Sequence, residues 1–178
     1  MINLIDKALP NTIMVDGKAF TVKTDFRYWM RFEIELSKGQ FPLEVAYLFD
    51  GVIPPRCSIE ELLVFCRPKE ELPRPLNNEN VIALDYEYDS DLIYAAFLGQ
   101  YGLDLTEVEY LHWHKFLALI KGLNGQTRLA EIMGYRCYKK NRNNDDMYEK
   151  LKYAWEVIRE EENQEEIDAF SKAFTRKE

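Results

Sequence analysis

The chain has 178 residues, of which 47% are apolar and 30% are charged. This length and composition suit one packed domain, or one core with an appendage, and they exclude general disorder. The formal net charge of −8 argues against a nucleic-acid backbone or an anionic membrane as the main partner. Because 11 Tyr, 10 Phe and 3 Trp are present, aromatic rings should build much of the core.

The segment 12–22 predicts a β-hairpin, because two strand-like runs lie on either side of Asp16-Gly17. That dipeptide suits the left-handed angles of a two-residue turn. Thr24-Asp25 is typical of a helix cap followed by an acidic first turn, and it predicts a helix over residues 26–38 that Gly39 ends.

A second helix is expected over residues 43–49, because proline favours the first turn of a helix and Pro42 precedes this run. Ser58 and Glu61 form a capping-box pattern, which predicts a third helix that ends before Pro68. Four helices are predicted further along, each placed by caps or a terminal glycine. They cover residues 91–100 (after Ser90 or Asp89, ended by Gly102), 107–121 (opened by Thr106 and Glu109), 128–133 (capped by Thr127, ended by Gly134) and a run from Asp145-Asp146.

The predicted fold class is mainly α, a helical domain with a small N-terminal β-hairpin. We divide the chain at a segment rich in proline and asparagine that lacks any hydrophobic period. The four parts are a hairpin with helices (1–67), the connector (68–80), a central helical core (81–142) and a C-terminal amphipathic helix packed on the same domain (143–178).

Charge is distributed unevenly over the second half. Residues 77–109 contain eight acids and no Lys or Arg, whereas residues 112–142 contain seven bases and one acid. The two blocks either neutralise each other across a helix pair, which we favour, or mark separate surfaces for partners of opposite charge.

No cofactor or metal ion is expected. His112 and His114 stand two apart in a predicted helix and should point about 200° apart, so one ion could not easily bind both. Residues 85–91 imitate the start of a calcium loop. The loop would need Gly where Ser90 stands and a bidentate Glu where Ala96 stands.

The sequence contains no phosphate-binding loop and no nucleophile elbow. Cys57, Cys66 and Cys137 form no C-x-x-C, which favours free thiols in a reducing compartment. A pairing of one of them with a histidine has no local signature. We therefore predict no catalytic residues and a protein that is not an enzyme.

Residues 135–142 interleave rings with bases, which can bind single-stranded nucleic acid, but a solvated loop is the favoured interpretation. No signal peptide is recognised at the start of the chain, and no apolar stretch approaches about 18 residues. We therefore expect a cytosolic protein without a membrane-spanning segment.

Several stretches resemble a family of tailed phages and prophages of Gram-positive bacteria, known as the gene product fifteen family. In the front half the similarity lies in the hairpin and in Thr24-Asp-Phe-Arg-Tyr-Trp29. In the second half it is carried by Asp85-Tyr-Glu-Tyr-Asp-Ser-Asp-Leu-Ile-Tyr-Ala-Ala-Phe97, Gln100-Tyr-Gly-Leu-Asp-Leu105, Leu111-His-Trp-His-Lys-Phe-Leu-Ala-Leu-Ile-Lys-Gly-Leu123 and Ile132-Met-Gly-Tyr-Arg136. Together these stretches span most of residues 10–140.

The resemblance implies a tail assembly protein in the cytoplasm of the bacterial host, similar in role to chaperones that coat the tape-measure protein. The partner would be the tape-measure protein or another tail protein, with a homo-oligomer left open and nucleic acid disfavoured. The alternatives are a structural component of the mature tail, and a small nucleic-acid-binding or regulatory phage protein. The family supplies no active site that could be transferred.

The C-terminal region is our candidate for partner binding. Its last helix has an apolar stripe, followed by the polar run 159–166 and by apolar residues that either form a separate docking element or pack back. We hypothesise that residues 147–174, or the groove that they cover, contact the partner. The predicted binding residues are Trp155, Ile158, Ile167, Phe170 and Phe174.

Overall fold

The computed structural model describes residues 8–39, 43–68, 81–139 and 146–157. Over these residues the chain forms six α-helices, a single two-stranded antiparallel sheet and one 3-10 turn, which confirms the predicted fold class. In chain order the elements are β1 (Thr12–Val15), β2 (Lys18–Thr21), α1 (Phe26–Ser37), the 3-10 turn (Ala46–Leu48), α2 (Ile59–Cys66), α3 (Ser90–Tyr101), α4 (Trp113–Lys121), α5 (Arg128–Arg136) and α6 (Asp146–Trp155).

The hairpin and α1 form where local sequence signals place them. Asp16 and Gly17 have φ angles of 49° and 74°, so both turn residues are left-handed, as a tight hairpin requires. The cap of α1 is Asp25 and not Thr24 as predicted, because the Asp25 carboxylate accepts a hydrogen bond from the N–H of Arg27 at 3.1 Å. On the apolar face of α1, Trp29 and Phe32 are fully buried.

The predicted helix over residues 43–49 is wrong, and only the 3-10 turn Ala46–Leu48 is present in the described part of this segment. The chain here pairs with the continuation of β2 instead of closing helical hydrogen bonds. The N–H of Lys23 donates to the carbonyl of Leu48 at 2.8 Å, and the N–H of Asp50 donates to the carbonyl of Thr21 at 3.0 Å. Tertiary hydrogen bonding has overridden the local helical signal.

The start of α4 also differs from the prediction, because the helix begins at Trp113 rather than at residue 107. Residues before it run extended against the start of α1. The N–H of Phe26 donates to the carbonyl of Leu111 at 2.8 Å, and the N–H of Trp113 donates to the carbonyl of Thr24 at 2.7 Å. A helix over this stretch would lose both of these bonds.

The predicted capping box at Thr106 does not form. The Thr106 hydroxyl donates to the carboxylate of Asp104 at 2.6 Å and so makes a local turn. The guanidinium of Arg27 donates to the carbonyls of Leu105 and Val108 at 3.0 and 2.7 Å. Side-chain bonds from α1 thus hold the loop before α4, in which the backbone closes only a single turn at the Asp104 carbonyl.

The later helices agree more closely with the sequence. Capping by Ser58 and Glu61 at α2, by Thr127 at α5 and by left-handed Gly102 after α3 is confirmed. The predicted end of α5 at Gly134 is wrong, since the helix continues to Arg136. The predicted connector, 68–80, lies outside the described residues apart from Pro68.

The core is a stack of aromatic rings centred on Phe116. Its ring centroid lies 4.9 Å from that of Phe26, 5.1 Å from Phe97 and 5.5 Å from Trp113. Because Phe26 belongs to the first predicted part and the others to the third, both parts contribute to one hydrophobic cluster. No residue of α6 is buried.

Gly102→Ala is expected to destabilise the fold by about 1 kcal/mol, because Gly102 has a φ of 62° and nothing within 4 Å of an added Cβ. The cost would therefore come from the backbone alone. Gly99→Ala is the matched control, since Gly99 lies inside α3 with equal space, and it should stabilise the fold by roughly 0.5–1 kcal/mol. Denaturant unfolding measures both, and equal signs would contradict the backbone explanation.

Candidate partner-binding surface

Helix α6 presents an apolar face that the rest of the described chain covers only along one side. Met147, Leu151, Ala154 and Trp155 share this face at helical spacing, as the sequence predicted. Leu151 and Trp155 are half-buried, whereas Ala154 is exposed and Met147 is 66% exposed. We call Met147 and Ala154 the uncovered edge of α6.

Polar bonds hold α6 against α5. Arg136 Nε donates to the carbonyl of Trp155 at 2.7 Å, and Lys152 Nζ donates to the carbonyl of Tyr138 at 3.2 Å. The Arg128 guanidinium lies 5.3 Å from the centroid of the Trp155 ring, within cation–π range. A few directed contacts near the C-terminal end of α6 therefore hold this helix in place.

Tyrosine rings also hold α6 in place near its start. The ring centroid of Tyr148 lies 5.3 Å from that of Tyr138 and 5.8 Å from that of Tyr135. The ring contacts bury part of the tyrosine surface, but they do not bury α6 in the core, because Tyr148 is still 42% exposed. Such a helix can gain a partner on its open side.

The buried ion pair of Asp89 and Arg136 connects α5 to the N-terminus of α3. Arg136 Nη1 and Nη2 donate to the two Asp89 carboxylate oxygens at 2.6 and 2.8 Å, and both side chains are 4% exposed or less. Nη1 also donates to the carbonyl of Ala83 at 3.2 Å. One arginine thus holds α3, the segment before it and the end of α6.

Sequence reasoning missed the importance of Arg136, which it placed in a solvated basic loop. The available signal was its spacing from Leu129 and Ile132, both fully buried residues on the same face of α5. The pair with Asp89 joins the acidic and basic blocks of the sequence at one point. Glu87 of the acidic block pairs with Lys38 of α1 instead, and Arg128 pairs with Glu131 inside the basic block.

Of the predicted binding residues, the structure places only Trp155, half-buried at the end of α6. Ile158, Ile167, Phe170 and Phe174 lie outside the described residues. Met147 and Ala154 belong to the predicted stripe and to the hypothesised partner region 147–174, but they are not among the five binding residues named from the sequence.

The candidate nucleic-acid segment loses part of its basic face in the structure. Arg136 faces the interior, and the rings of Tyr135 and Tyr138 pack against Tyr148. Within the described part of residues 135–142, Lys139 is exposed. Lys140 and Arg142 lie outside the described residues, so of the segment's bases the structure takes only Arg136 away from a possible phosphate contact.

The acids Asp85, Glu87 and Asp89 make structural contacts, some within the segment and some with distant residues. The Asp85 carboxylate accepts from the N–H groups of Glu87 and Tyr88 at 2.9 and 3.0 Å, and Glu87 forms an ion pair with Lys38 at 2.7 Å. Across residues 8–39, 43–68, 81–139 and 146–157, no group of three or more His, Cys, Asp and Glu could hold a metal ion.

The two histidine rings lie together, so the prediction that they point apart is wrong. Their centroids are 5.1 Å apart at an interplanar angle of 68°. The helical spacing does not apply, because His112 is the extended N-cap of α4 and only His114 is helical. Their nitrogens bond to the backbone: Nε2 of each lies 2.9 Å from a carbonyl oxygen, of Pro10 for His112 and of Phe65 for His114.

The cysteines are free, and Cys66 is used in an internal polar contact. Its thiol donates to Glu33 Oε1 at 3.2 Å, and Arg67 Nε donates to the same oxygen at 2.8 Å. Burial raises the pKa of the Cys66 thiol, with the Glu33 carboxylate acting in the same direction. Burial also raises the pKa of Cys57 to about 11, so both thiols are poor nucleophiles at neutral pH.

A family model described as "Bacteriophage Gp15 protein" matches residues 58–157. The chain belongs to this family. No curated protein and no solved structure matches it. The matched range contains α2 to α6, including the uncovered edge and the Asp89–Arg136 pair, so these are features of the Gp15 segment of the chain.

Membership of the Gp15 family makes this a phage protein. In the part of this Gp15 protein that the structure describes, no helix is both long enough and apolar enough to span a bilayer.

Proposed function

We propose that this Gp15 protein is a tail assembly factor that binds the tape-measure protein and keeps it soluble until the tail tube forms around it. It acts by binding and has no catalytic step. The observation that carries the proposal is the uncovered edge of α6, an apolar helix face that the described chain covers on one side only.

The chemistry of this edge suits a long amphipathic helix, the form expected of a tape-measure protein. A second helix can lie along α6 and pack beside Met147 and Ala154, with Leu151 at the boundary with α5. Ala154 is small and allows close backbone approach. The net charge of −8 would help to keep the complex in solution.

A partly covered helix also suits a temporary complex. The helix gains apolar burial when a partner arrives, and it keeps its contacts with Arg136 and Tyr138 when the partner leaves. Such a small apolar contact gives moderate affinity. The tape-measure protein can therefore be released when tail-tube subunits compete for its apolar stripe.

Met147→Glu combined with Ala154→Glu should weaken the complex at least tenfold, because two charges would enter the apolar contact. The measurement is co-expression with the tape-measure protein of the same phage, followed by affinity purification and mass-resolved size exclusion. The matched control is Val52→Glu with Ile53→Glu, which changes two apolar residues that are 75% and 53% exposed in the loop before α2. That variant should keep the complex.

The outcomes separate the parts of the proposal. If the unchanged chain and the tape-measure protein purify apart, the assembly function is wrong, and presence of the chain in finished particles would instead indicate a structural tail protein. If the complex still forms with Met147→Glu and Ala154→Glu but is lost when residues 160–178 are deleted, the partner contacts the C-terminal residues of the chain and not the uncovered edge.

A further inference from the structure

The hydrogen bonds of His112 and His114 assign both rings to one neutral tautomer. His112 Nδ1 lies 3.0 Å from the backbone N–H of His114 and must accept from it, so its proton is on Nε2, which donates to the Pro10 carbonyl. His114 Nε2 likewise donates to the Phe65 carbonyl. His114 Nδ1 is then an unprotonated, buried nitrogen with no hydrogen-bond partner among the described residues.

The two rings join three separate parts of the chain. His112 contacts the segment before the hairpin through Pro10 and caps α4, while His114 contacts the end of α2 through Phe65. The Phe65 ring lies 4.6 Å from the ring of His114 and 4.5 Å from that of Trp29, between centroids. The pair thus lies where the N-terminal segment, α2 and α4 meet.

A second proton on either ring would break this arrangement. Protonation of His112 at Nδ1 removes the acceptor that caps α4, and it sets two N–H groups against each other. Protonation of His114 at Nδ1 places a charge on a side chain that is 5% exposed and has no acceptor for it. With both rings charged, like charges would stand about 5 Å apart, which adds repulsion.

Among the described residues, none of the groups that act on the pKa of either ring is a carboxylate. Burial is the main cause that lowers the pKa of both rings, and the positive charges of Lys115 (for His112) and of the amino terminus (for both) act in the same direction. Asp25, whose backbone pairs with that of His112, directs its carboxylate to Arg27 and to the N–H of Leu111. From α2, Phe65 presents only its carbonyl and ring, and the neighbouring Cys66 thiol donates to Glu33.

We infer that His112 and His114 form an acid-sensitive latch, which holds the N-terminal segment and α2 on α4 at neutral pH and releases them when both rings take up protons. The latch is independent of the proposed binding function, because it lies away from α6.

Acid should weaken the latch in a defined pH range. Above about pH 8 both histidines are almost wholly neutral in the folded and the unfolded chain, so stability does not change with their titration. Below the ordinary histidine value of about 6.5, the unfolded chain binds protons that the folded chain resists, and stability falls. Each histidine can raise the unfolding constant by up to about tenfold per pH unit, and two can raise it by roughly 100-fold.

The test is urea unfolding between pH 8 and pH 5, a range above the ordinary carboxylate titrations. The matched variant is His112→Asn with His114→Gln, because Asn can still cap α4 and Gln can still donate towards the Phe65 carbonyl. Below pH 6.5 the unfolding constant of the unchanged protein should rise steeply with each pH unit of acidification. The factor by which the unfolding constant of the variant rises per pH unit should be less than about a tenth of that. The same slope in both proteins would overturn the latch.

Two further measurements keep the inference testable if the double variant does not fold. Ring proton shifts in the unchanged protein should show both histidines titrating below pH 6.5, and a midpoint above that value would contradict the geometry. On acidification, the amide protection factor at His114 should fall before that at Phe97 in α3. Simultaneous loss at both positions would mean global unfolding and no latch.

Discussion

Arg136→Met should lower the free energy of unfolding by about 3–5 kcal/mol, because it leaves the Asp89 carboxylate buried without its partner. The Asp89 side chain is 2% exposed, so water cannot replace the lost guanidinium. The same change removes the bond from Nε to the Trp155 carbonyl. We therefore expect α6 to become sensitive to proteolysis under conditions in which α1 is still protected.

The control for this prediction is Arg31→Met. Arg31 pairs with Glu35 on the surface of α1, with the arginine side chain 59% exposed, and losing such a pair should cost under about 1 kcal/mol. Arg136→Met combined with Asp89→Leu should recover much of the lost stability, because it removes the stranded charge. Equal losses for Arg31 and Arg136, measured by denaturant unfolding at pH 7, would contradict this account.

Trp113→Phe should destabilise the fold by about 2–4 kcal/mol, through a cavity and an unpaired buried carbonyl. Trp113 is fully buried, and its Nε1 donates to the carbonyl of Cys66 at 2.7 Å, which links α4 to the end of α2. Phenylalanine fills less of the space and cannot donate. The free energy of unfolding from urea titration gives the loss directly.

Trp155→Phe provides the matched control, since it is the same chemical change at a half-buried position. The bonds that α6 makes through the Trp155 backbone would stay, and only the contact with the Arg128 guanidinium would weaken. A loss below about 1 kcal/mol is expected. A larger loss here than at Trp113 would mean that α6 belongs to the cooperative core.

Elements determined by neighbouring residues were predictable from the sequence. The hairpin follows from Asp16-Gly17, and α2 follows from the reciprocal bonds of Ser58 and Glu61. The start of α4 was not predictable, because the hydrogen bonds that hold Leu111 extended come from the start of α1. One of them joins the Leu111 N–H to the Asp25 carboxylate, which is 86 residues earlier. Local propensity carries no record of such distant partners.

The candidate surface shows the same division. Periodicity placed Met147, Leu151, Ala154 and Trp155 on one face of α6, but it could not tell which part of that face α5 covers. The arrangement of His112 and His114 was likewise hidden, because it depends on where α4 begins. Arg136 was assigned to solvent because its partner, Asp89, is 47 residues away.

The extended pairing between the start of α1 and the segment before α4 has a consequence for synthesis on the ribosome. The Asp25 carboxylate and the N–H of Leu111 are 86 residues apart, and at 5–20 residues per second that interval takes roughly 4–17 s. During this time the nascent chain has made Trp29 and Phe32 but not the rings of α4 that cover their neighbour Phe26. Until α4 has been synthesised, the aromatic face of α1 therefore lacks the α4 rings that cover it in the folded protein.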